Sequence, residues 1–384
     1  MTKSDSFEME LVEKARLFAE AHVAPNSAAW ERERRIGMEA LKEAAKLGLA
    51  SIQVPVASGG LGQSFACKVE VLMALAREDF GFAMSLVNTH NVAHKLSETA
   101  PARVAAKYVG PLINAVLLGC TALTEPSAGS DVGAVATTAR RIGGEWELCG
   151  EKTWITNGSL ADVVIVYAQT EPGAGTKGIA AFLVDARRPG FERLPPMDMA
   201  GQHSIGAGGF KLKGYLAGDD ELLSPPGRAF KEVMEDINGA RTYVAAMCCA
   251  MVEKAVEICS GYGRVRGTFG KPLTCRQGWR WNIAMAETDL AAARLLVERA
   301  TDLIVEGGES RLLSAQAKIF ATMMAERQLP RLIQAMGAEG LREKYPLMRH
   351  LTGARVAGYV DGSTEMLLER VSSHLVQTGE NSKI

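Results

Sequence analysis

The spacing of hydrophobic positions changes twice along the chain. Residues 7–115 carry apolar side chains at helical intervals, as in the run 38–48, which ends at a glycine. From residue 116 to 222 the interval becomes two, which is typical of strands. Beyond residue 226 helical spacing returns, and one run alternates steps of three and four before it stops at two adjacent glycines. Its members are Ile283, Ala286, Leu290, Ala293, Val297, Ala300 and Ile304. That run predicts the seam of a helical bundle.

This order of helices, strands and helices predicts an α+β fold with at least two hydrophobic cores. Within the strand region, 135–142 and 145–149 flank a Gly-Gly pair and predict a β-hairpin. Runs 163–167 and 179–184 are continuous enough to be buried strands. A Ser-Pro-Pro-Gly run at 224–227 marks a boundary. We therefore expect three domains, at 1–116, 117–225 and 226–384.

Composition excludes several classes of protein. The chain has 384 residues, 47% hydrophobic and 23% charged, with a formal net charge of −1, so no basic surface for nucleic acid is expected. No window approaches the roughly 18 apolar residues that membrane insertion needs, and the N-terminus has no signal-like segment, so a cytoplasmic protein is expected. The cysteines are odd in number and none has metal-site spacing, so we expect no metal and interpret all seven as structural thiols. They are Cys67, Cys120, Cys149, Cys248, Cys249, Cys259 and Cys275.

The glycines at 173–178 fit the G-x-G-x-x-G pattern of dinucleotide-binding proteins. That pattern works only where a helix N-terminus follows the glycines and meets the pyrophosphate. Here a strand-like run precedes the motif and another follows it. We interpret it as a connecting loop and predict no Rossmann domain.

Four other runs carry chemical information when they are taken together and in order. They are Leu-Thr-Glu-Pro-Ser-Ala-Gly-Ser-Asp at 123–131, Trp-Ile-Thr-Asn-Gly at 154–158, Arg-Gly-Thr-Phe-Gly-Lys-Pro at 266–272, and Gln-Ala-Met-Gly-Ala-Glu-Gly at 334–340 followed by Asp-Gly-Ser-Thr-Glu at 361–365. From about residue 18 onward the chain resembles the FAD-dependent acyl-CoA dehydrogenase family. The resemblance implies an N-terminal helical domain, a middle β domain and a C-terminal four-helix bundle.

The resemblance also implies where FAD would be held. The flavin ring would lie near Trp154 and Thr156 and near the 123–131 run, and the adenosine half would be bound by residues reaching across a subunit interface. The implied cofactor-binding residues are Thr121, Leu123, Thr124, Gly129, Ser130, Trp154, Thr156, Arg266, Phe269, Gln277, Gln334, Gly337, Ala338, Ser363 and Glu365. Such shared sites imply a homodimer or a homotetramer.

Asp361 occupies the position at which the family usually has a glutamate base, so the resemblance implies that Asp361 removes the α proton of an acyl thioester. The family's other site for the base, just before Arg241, is Ala240 here. The implied substrate-binding residues are Ser130, Asn238, Arg241 and Gly362. The expected reaction converts acyl-CoA to 2-enoyl-CoA with hydride transfer to flavin N5, and an electron-transfer flavoprotein is the expected acceptor.

Three departures from the family indicate a specialised branch. Asp361 is one methylene shorter than glutamate, Thr121 replaces an aromatic residue, and Thr352-Gly353 replaces an Arg-Asp pair. Three alternatives stay open. One is a dehydrogenase or oxidase acting on an acyl group tethered to a carrier protein. Another is a flavin monooxygenase of the same fold, which would not need the base. The last is a non-catalytic flavoprotein that binds nucleic acid, against which the neutral composition argues.

Overall fold

The computed structural model describes residues 3–381 and the side chains of residues 6–376. Residues 1 and 2, the first of the N-terminus for which no signal segment is expected, and residues 382–384 lie outside the described part. The first part of the chain is helical, as predicted. A short π-helical turn joins the first two helices, and Ser64 and Asp79 cap the N-termini of the fourth and fifth through their side chains. The helices are α1 (Lys3–Phe18), α2 (Ala24–Glu33), α3 (Met38–Lys46), α4 (Phe65–Ala76), α5 (Phe80–Thr99) and α6 (Ala102–Ile113).

The middle part is a β domain. Its main sheet has the order β6-β7-β3-β2-β4-β5-β8, with β1 paired in parallel to β4. The hairpin predicted at Gly143-Gly144 joins β2 to β3, and both glycines have positive φ. The 173–178 motif connects two antiparallel strands, β4 and β5, so its interpretation as a loop is confirmed. The strands are β1 (Gly119–Ala122), β2 (Thr138–Ile142), β3 (Glu145–Ile155), β4 (Val163–Gln169), β5 (Ile179–Asp185), β6 (Phe191–Arg193), β7 (Gly208–Ala217) and β8 (Leu222–Ser224).

The last part is a helical bundle. Its longest helix, α7, runs without interruption through Gly239, where the absence of a side chain lets the ring of Phe65 on α4 pack closely. The predicted seam is the buried face of α8, and Gly307, which has positive φ, follows the C-cap of that helix. A two-stranded hairpin, β9 (Gly267–Thr268) and β10 (Lys271–Pro272), joins α7 to α8. The helices are α7 (Ala229–Val265), α8 (Gln277–Val305), α9 (Arg311–Met336), α10 (Leu347–Tyr359) and α11 (Thr364–Asn381).

One hydrophobic core is shared by the two helical parts, since α1, α3, α4 and α5 bury side chains in the same cluster as α7, α8 and α9. A second core lies between one face of the sheet and α5, α6 and the start of α7, and a third covers the other face of the sheet. Helices α5 and α7 therefore belong to both the bundle and the sheet interface. Any group held between them is fixed by two cores.

Three further findings on the described part of the chain concern membrane-spanning helices, metal sites and cysteines. No helix there is long and apolar enough to cross a membrane. No group of three or more His, Cys, Asp or Glu side chains is placed to hold a metal ion. All seven cysteines are free thiols; Cys275 is exposed, so it has no role in the core, whereas most of the others are buried.

Candidate active site

Asp361 lies in the turn between α10 and α11, as predicted, and its backbone is left-handed, with φ of 55°. Such a φ is uncommon outside glycine, although aspartate tolerates it better than most residues. Gly362, which follows, also has positive φ. Glycine adopts positive φ freely, but the left-handed Asp361 is costly unless its surroundings fix it, so the contacts around this turn are informative.

Two buried cations hold the turn by its backbone. Arg241 on α7 donates from Nε to the carbonyl oxygen of Asp361 at 2.9 Å, and from a terminal nitrogen to Asn238 Oδ1 at 2.9 Å. Lys318 on α9 donates from Nζ to the carbonyl oxygen of Gly362 at 2.7 Å. The Lys318 side chain is only 1% exposed. The Asp361 carboxylate is thus placed by hydrogen bonds to its backbone, and among the described residues no side chain or backbone group bonds to its oxygens.

Burial and these two cations act in opposite directions on Asp361. Burial raises the pKa of the Asp361 carboxyl above its usual value, and the positive charges of Lys318 and Arg241 partly offset that rise. Burial also lowers the pKa of Lys318 to about 8 and that of Arg241 to about 10. A carboxylate with a raised pKa is a stronger base than an ordinary aspartate, which suits proton abstraction.

The loop after β1 forms a second group of predicted residues. Its shape is set by a buried ion pair: Lys152 on β3 donates to Glu125 Oε1 at 2.7 Å and to the Leu123 carbonyl at 2.9 Å. Glu125 also accepts from the backbone N–H groups of Ala136 and Thr137, at 2.6 Å and 3.0 Å. These four hydrogen bonds fix Leu123 and Thr124 relative to β3.

Trp154 and Thr156 lie at the end of β3 beside that loop. The backbone N–H of Thr153 donates to the Thr124 carbonyl at 3.1 Å, which joins the two segments. Trp154 has φ of 58°, and its indole is 63% exposed. A large aromatic side chain that is exposed from a left-handed backbone is unusual in a strand, and such strain is often found at binding sites.

The turn that follows Trp154 is held by the buried side chain of Asn157. Its amide nitrogen donates to the carbonyls of Ser85 and Gly119 at 2.8 Å and 3.0 Å, and its oxygen accepts from the Ser85 hydroxyl at 2.6 Å. Ser85 is on α5, six residues before Asn91, whose side chain contacts Tyr243 on α7. Six residues of helix span about 9 Å. Asn157, which follows Trp154, and Tyr243, which follows Arg241 by two residues, therefore bond to the same short stretch of α5.

The remaining predicted residues form a third group at the other end of the bundle. They lie at the end of α7, the start of α8 and the end of α9, and the Trp279 indole joins the last two by donating to the Ala335 carbonyl at 3.0 Å. All are exposed: Arg266, Phe269, Gln277, Gln334, Gly337 and Ala338. Phe269 is 97% exposed and has φ of 48°. From Arg241 to the end of α7 is 24 residues, or about 36 Å.

The structure thus sorts the predicted residues into three groups. Asp361, Gly362, Asn238 and Arg241 are in direct contact, whereas Ser363 and Glu365 lie at the start of α11, where Ser363 Oγ accepts from the Met366 N–H. Thr121, Leu123 and Thr124 are partly buried, and Gly129 and Ser130 are exposed in the same loop. Lys318 and Lys152 were missed by sequence reasoning. The one signal in the sequence that could have found Lys318 is its position inside the largely apolar helical run 315–321.

Comparisons with known proteins identify the family of the whole chain. The N-terminal, middle and C-terminal domain models of acyl-CoA dehydrogenases match residues 6–115, 120–214 and 227–376. The chain is 30% identical over 370 residues to the short-chain specific mitochondrial acyl-CoA dehydrogenase of Bos taurus, covering 96% of this chain and 90% of the relative. It is 33% identical over 368 residues to the acryloyl-CoA reductase (NADH) of Anaerotignum propionicum, covering 94% and 92%.

A solved structure extends the similarity to the whole fold. Butyryl-CoA dehydrogenase from Megasphaera elsdenii superposes with a TM-score of 0.92 at 28% identity, covering 98% of this chain and 99% of that one. The family uses FAD, and the residues here fit a flavin: an exposed indole on a strained backbone, open space beside Gly129 and Gly337, and a rigid adjoining loop. The chain belongs to the acyl-CoA dehydrogenase family and is an FAD-dependent flavoprotein oxidoreductase.

Proposed function

We propose that this protein removes the α and β hydrogens of an acyl-CoA thioester, with Asp361 as the base that takes the α proton. The observation that carries the proposal is the Asp361 turn, whose two carbonyls are held by Arg241 and Lys318 while the carboxylate is left free. A purely structural aspartate would use its oxygens to bond its surroundings. Here the surroundings bond the backbone instead.

The chemistry follows from what this turn can do. A thioester acidifies the C–H next to its carbonyl, and a carboxylate fixed in position can accept that proton without reorganising. The raised pKa of Asp361 improves its basicity, while the positive charges of Lys318 and Arg241 limit that rise. When bound, FAD supplies the acceptor for the β hydrogen, which leaves as hydride to flavin N5.

The flavin ring would be held by the loop 123–130 together with Trp154 and Thr156. The adenosine half would be held by the exposed group at the other end of the bundle. The exposed group lies about 36 Å along α7 from Arg241, which holds the Asp361 turn, and an extended FAD molecule is shorter than that. This separation supports a homo-oligomer, a dimer or a dimer of dimers, in which one subunit's Arg266 and Phe269 serve the flavin of its neighbour.

CoA thioesters are the substrates that the comparisons favour. Both relatives and the solved structure described above are named for reactions of short acyl-CoA groups. One of them is named as a reductase, which corresponds to the reverse reaction, in which Asp361 would return the proton to Cα. The arrangement also argues against a flavin monooxygenase, because such an enzyme has no use for a positioned carboxylate.

A thioester screen tests the proposal. Saturated CoA thioesters of increasing chain length are mixed anaerobically with the FAD-loaded protein, and the visible absorbance of oxidised flavin is followed. We expect bleaching with at least one thioester and a product that has lost two hydrogens. If no thioester bleaches the flavin, the proposed function is wrong.

Replacing Arg266 with alanine should weaken FAD retention and subunit association together. The guanidinium is exposed at the end of α7, far from its own chain's flavin group, so its expected ligand is the FAD of a neighbour. FAD content after gel filtration and mass by light scattering measure both effects. Arg140→Ala, an exposed arginine on β2, is the control; equal FAD affinity in both variants would remove Arg266 from the site.

We expect electron-transfer flavoprotein, or a dye in its place, to reoxidise the reduced flavin faster than oxygen does. This expectation rests on the family alone, and Thr121 near the flavin loop is the feature that challenges it. Stopped-flow reoxidation in air and with an acceptor dye gives the two rates. Rapid peroxide formation would instead assign the protein to the oxidases.

A further inference from the structure

The sequence reasoning singled out no residue that would select the acyl group, yet one buried lysine lies close to the active-site helices. Lys68 on α4 is 5% exposed. Its Nζ donates to Gln53 Oε1 at 2.9 Å and to Asn91 Oδ1 at 2.8 Å, and it lies over the rings of Tyr243 and Phe65, at 5.3 Å and 5.8 Å from their centroids. Both hydrogen-bond acceptors are neutral.

Lys68 has no counterion among the described side chains, since none of their carboxylates lies within ion-pair distance of its Nζ. Asp236, the acid whose charge acts on it, is hydrogen-bonded by Lys95 at 3.1 Å. Burial accordingly lowers the pKa of Lys68 to about 7. Burying an unpaired ammonium group is costly, and an apolar residue of similar length would fill the site at lower cost.

The hydrogen bonds around Lys68 leave two donors without an acceptor. His90 Nε2 accepts from the Gln53 backbone N–H at 3.0 Å, so its Nδ1 carries the hydrogen and faces Asn91 Oδ1 at 3.3 Å. Asn91 Nδ2 donates to the Tyr243 hydroxyl at 3.2 Å, which leaves the hydroxyl hydrogen of Tyr243 free. The third hydrogen of Lys68 Nζ is also unused by the described residues. A carboxylate has two oxygens and would accept from both.

Tyr243 connects this cluster to the reaction centre. Tyr243 follows Arg241 by two residues on α7. Burial is the main cause that raises the pKa of Tyr243, and the negative charge of Asp361 raises it further. Asn91 is on the stretch of α5 that also supports the Trp154 group. The two free donors lie among α4, α5 and α7, close enough to Asp361 for its charge to act on Tyr243.

We propose that Lys68 and Tyr243 bind a carboxylate at the far end of the acyl group, so that the preferred substrate is the CoA monothioester of a dicarboxylic acid. The inference rests on the proposed function, because it assumes that the acyl thioester reacts at Asp361. Lys68 is a specificity residue in it and takes no part in proton or hydride transfer.

The test compares matched thioesters on the FAD-loaded protein. Glutaryl-CoA is paired with pentanoyl-CoA and adipyl-CoA with hexanoyl-CoA, and anaerobic flavin reduction is measured for each over a range of concentrations. We expect the carboxylated member of at least one pair to react with the higher kcat/KM. In Lys68→Met that advantage should fall by about 10²-fold, through KM more than kcat, while the methyl-ended partner keeps or improves its rate.

Two further variants keep the test decisive. Tyr243→Phe removes a single donor and should lower the carboxylate preference by about tenfold. Lys95→Met removes a lysine of α5 that bonds Asp236 and should leave the preference unchanged. Equal or better reduction by the methyl-ended thioesters in the unmodified protein would overturn this inference and leave the proposed function standing. No reduction by any thioester would overturn both.

Discussion

Asp361→Asn should bind FAD and acyl-CoA normally and lose nearly all thioester-dependent flavin reduction. Asparagine keeps the size of the side chain and tolerates the left-handed φ of 55°, but its amide cannot accept the α proton. General bases contribute about 10²- to 10⁴-fold, so we expect at least that loss in the rate constant of flavin reduction, measured by anaerobic stopped flow. Glu369→Gln, an exposed carboxylate on α11, is the control and should react normally.

The same variant should be more stable than the unmodified protein at neutral pH. Because the pKa of Asp361 is raised by folding, the folded state binds its proton more tightly than the unfolded state does. Stability contributed by this group is therefore lost as the pH rises from the ordinary aspartate pKa through the raised one. Asparagine cannot ionise and avoids that loss, so its Tm should be higher at neutral pH and similar at acidic pH. A lower Tm at neutral pH would contradict this electrostatic account.

Lys318→Met should give the second-largest loss. It removes the hydrogen bond to the Gly362 carbonyl and the cation that most strongly opposes the pKa rise of Asp361. A misplaced base lowers the reaction rate by about 10²-fold. Without the positive charge, the pKa of Asp361 should rise further, so kcat/KM should begin to increase at a higher pH than in the unmodified protein. The pH profile of flavin reduction measures both effects.

The pH shift separates positioning from general instability. Lys231→Met, an exposed lysine on α7, is the control and should leave both the rate and the profile unchanged. If Lys318→Met lowers Tm but keeps the unmodified pH profile, Lys318 is a structural residue that does not act on Asp361.

Local patterns in the sequence were sufficient to predict most elements of the fold. The β2–β3 hairpin depends on two glycines that accept positive φ. The α8 seam depends on apolar residues spaced three and four apart, and this spacing places them on one face only in a helix. The core shared by α1, α3, α4 and α5 with α7, α8 and α9 could not be predicted in this way. It joins residues that are hundreds of positions apart, and no periodicity encodes which helices meet.

The same contrast holds for the site. Asp361 and Trp154 were found because family motifs surround them, and their left-handed backbone conformations show that the local chain is unusual. Lys318, Lys152 and Lys68 carry no such motif. Each is defined by its contacts across the fold: Lys318 bonds the Gly362 carbonyl, Lys152 bonds Glu125, and Lys68 bonds Asn91 and Gln53. Those contacts exist only after folding has buried the three lysines.

The most direct test of the account is hydrogen exchange at Cα. A thioester that bleaches the flavin is incubated anaerobically in D2O with the FAD-loaded protein, and NMR of the recovered thioester measures deuterium at Cα. The account predicts that the unmodified protein introduces deuterium and that Asp361→Asn introduces none above the uncatalysed background. Exchange by Asp361→Asn at the unmodified rate would contradict the assignment of Asp361 as the base.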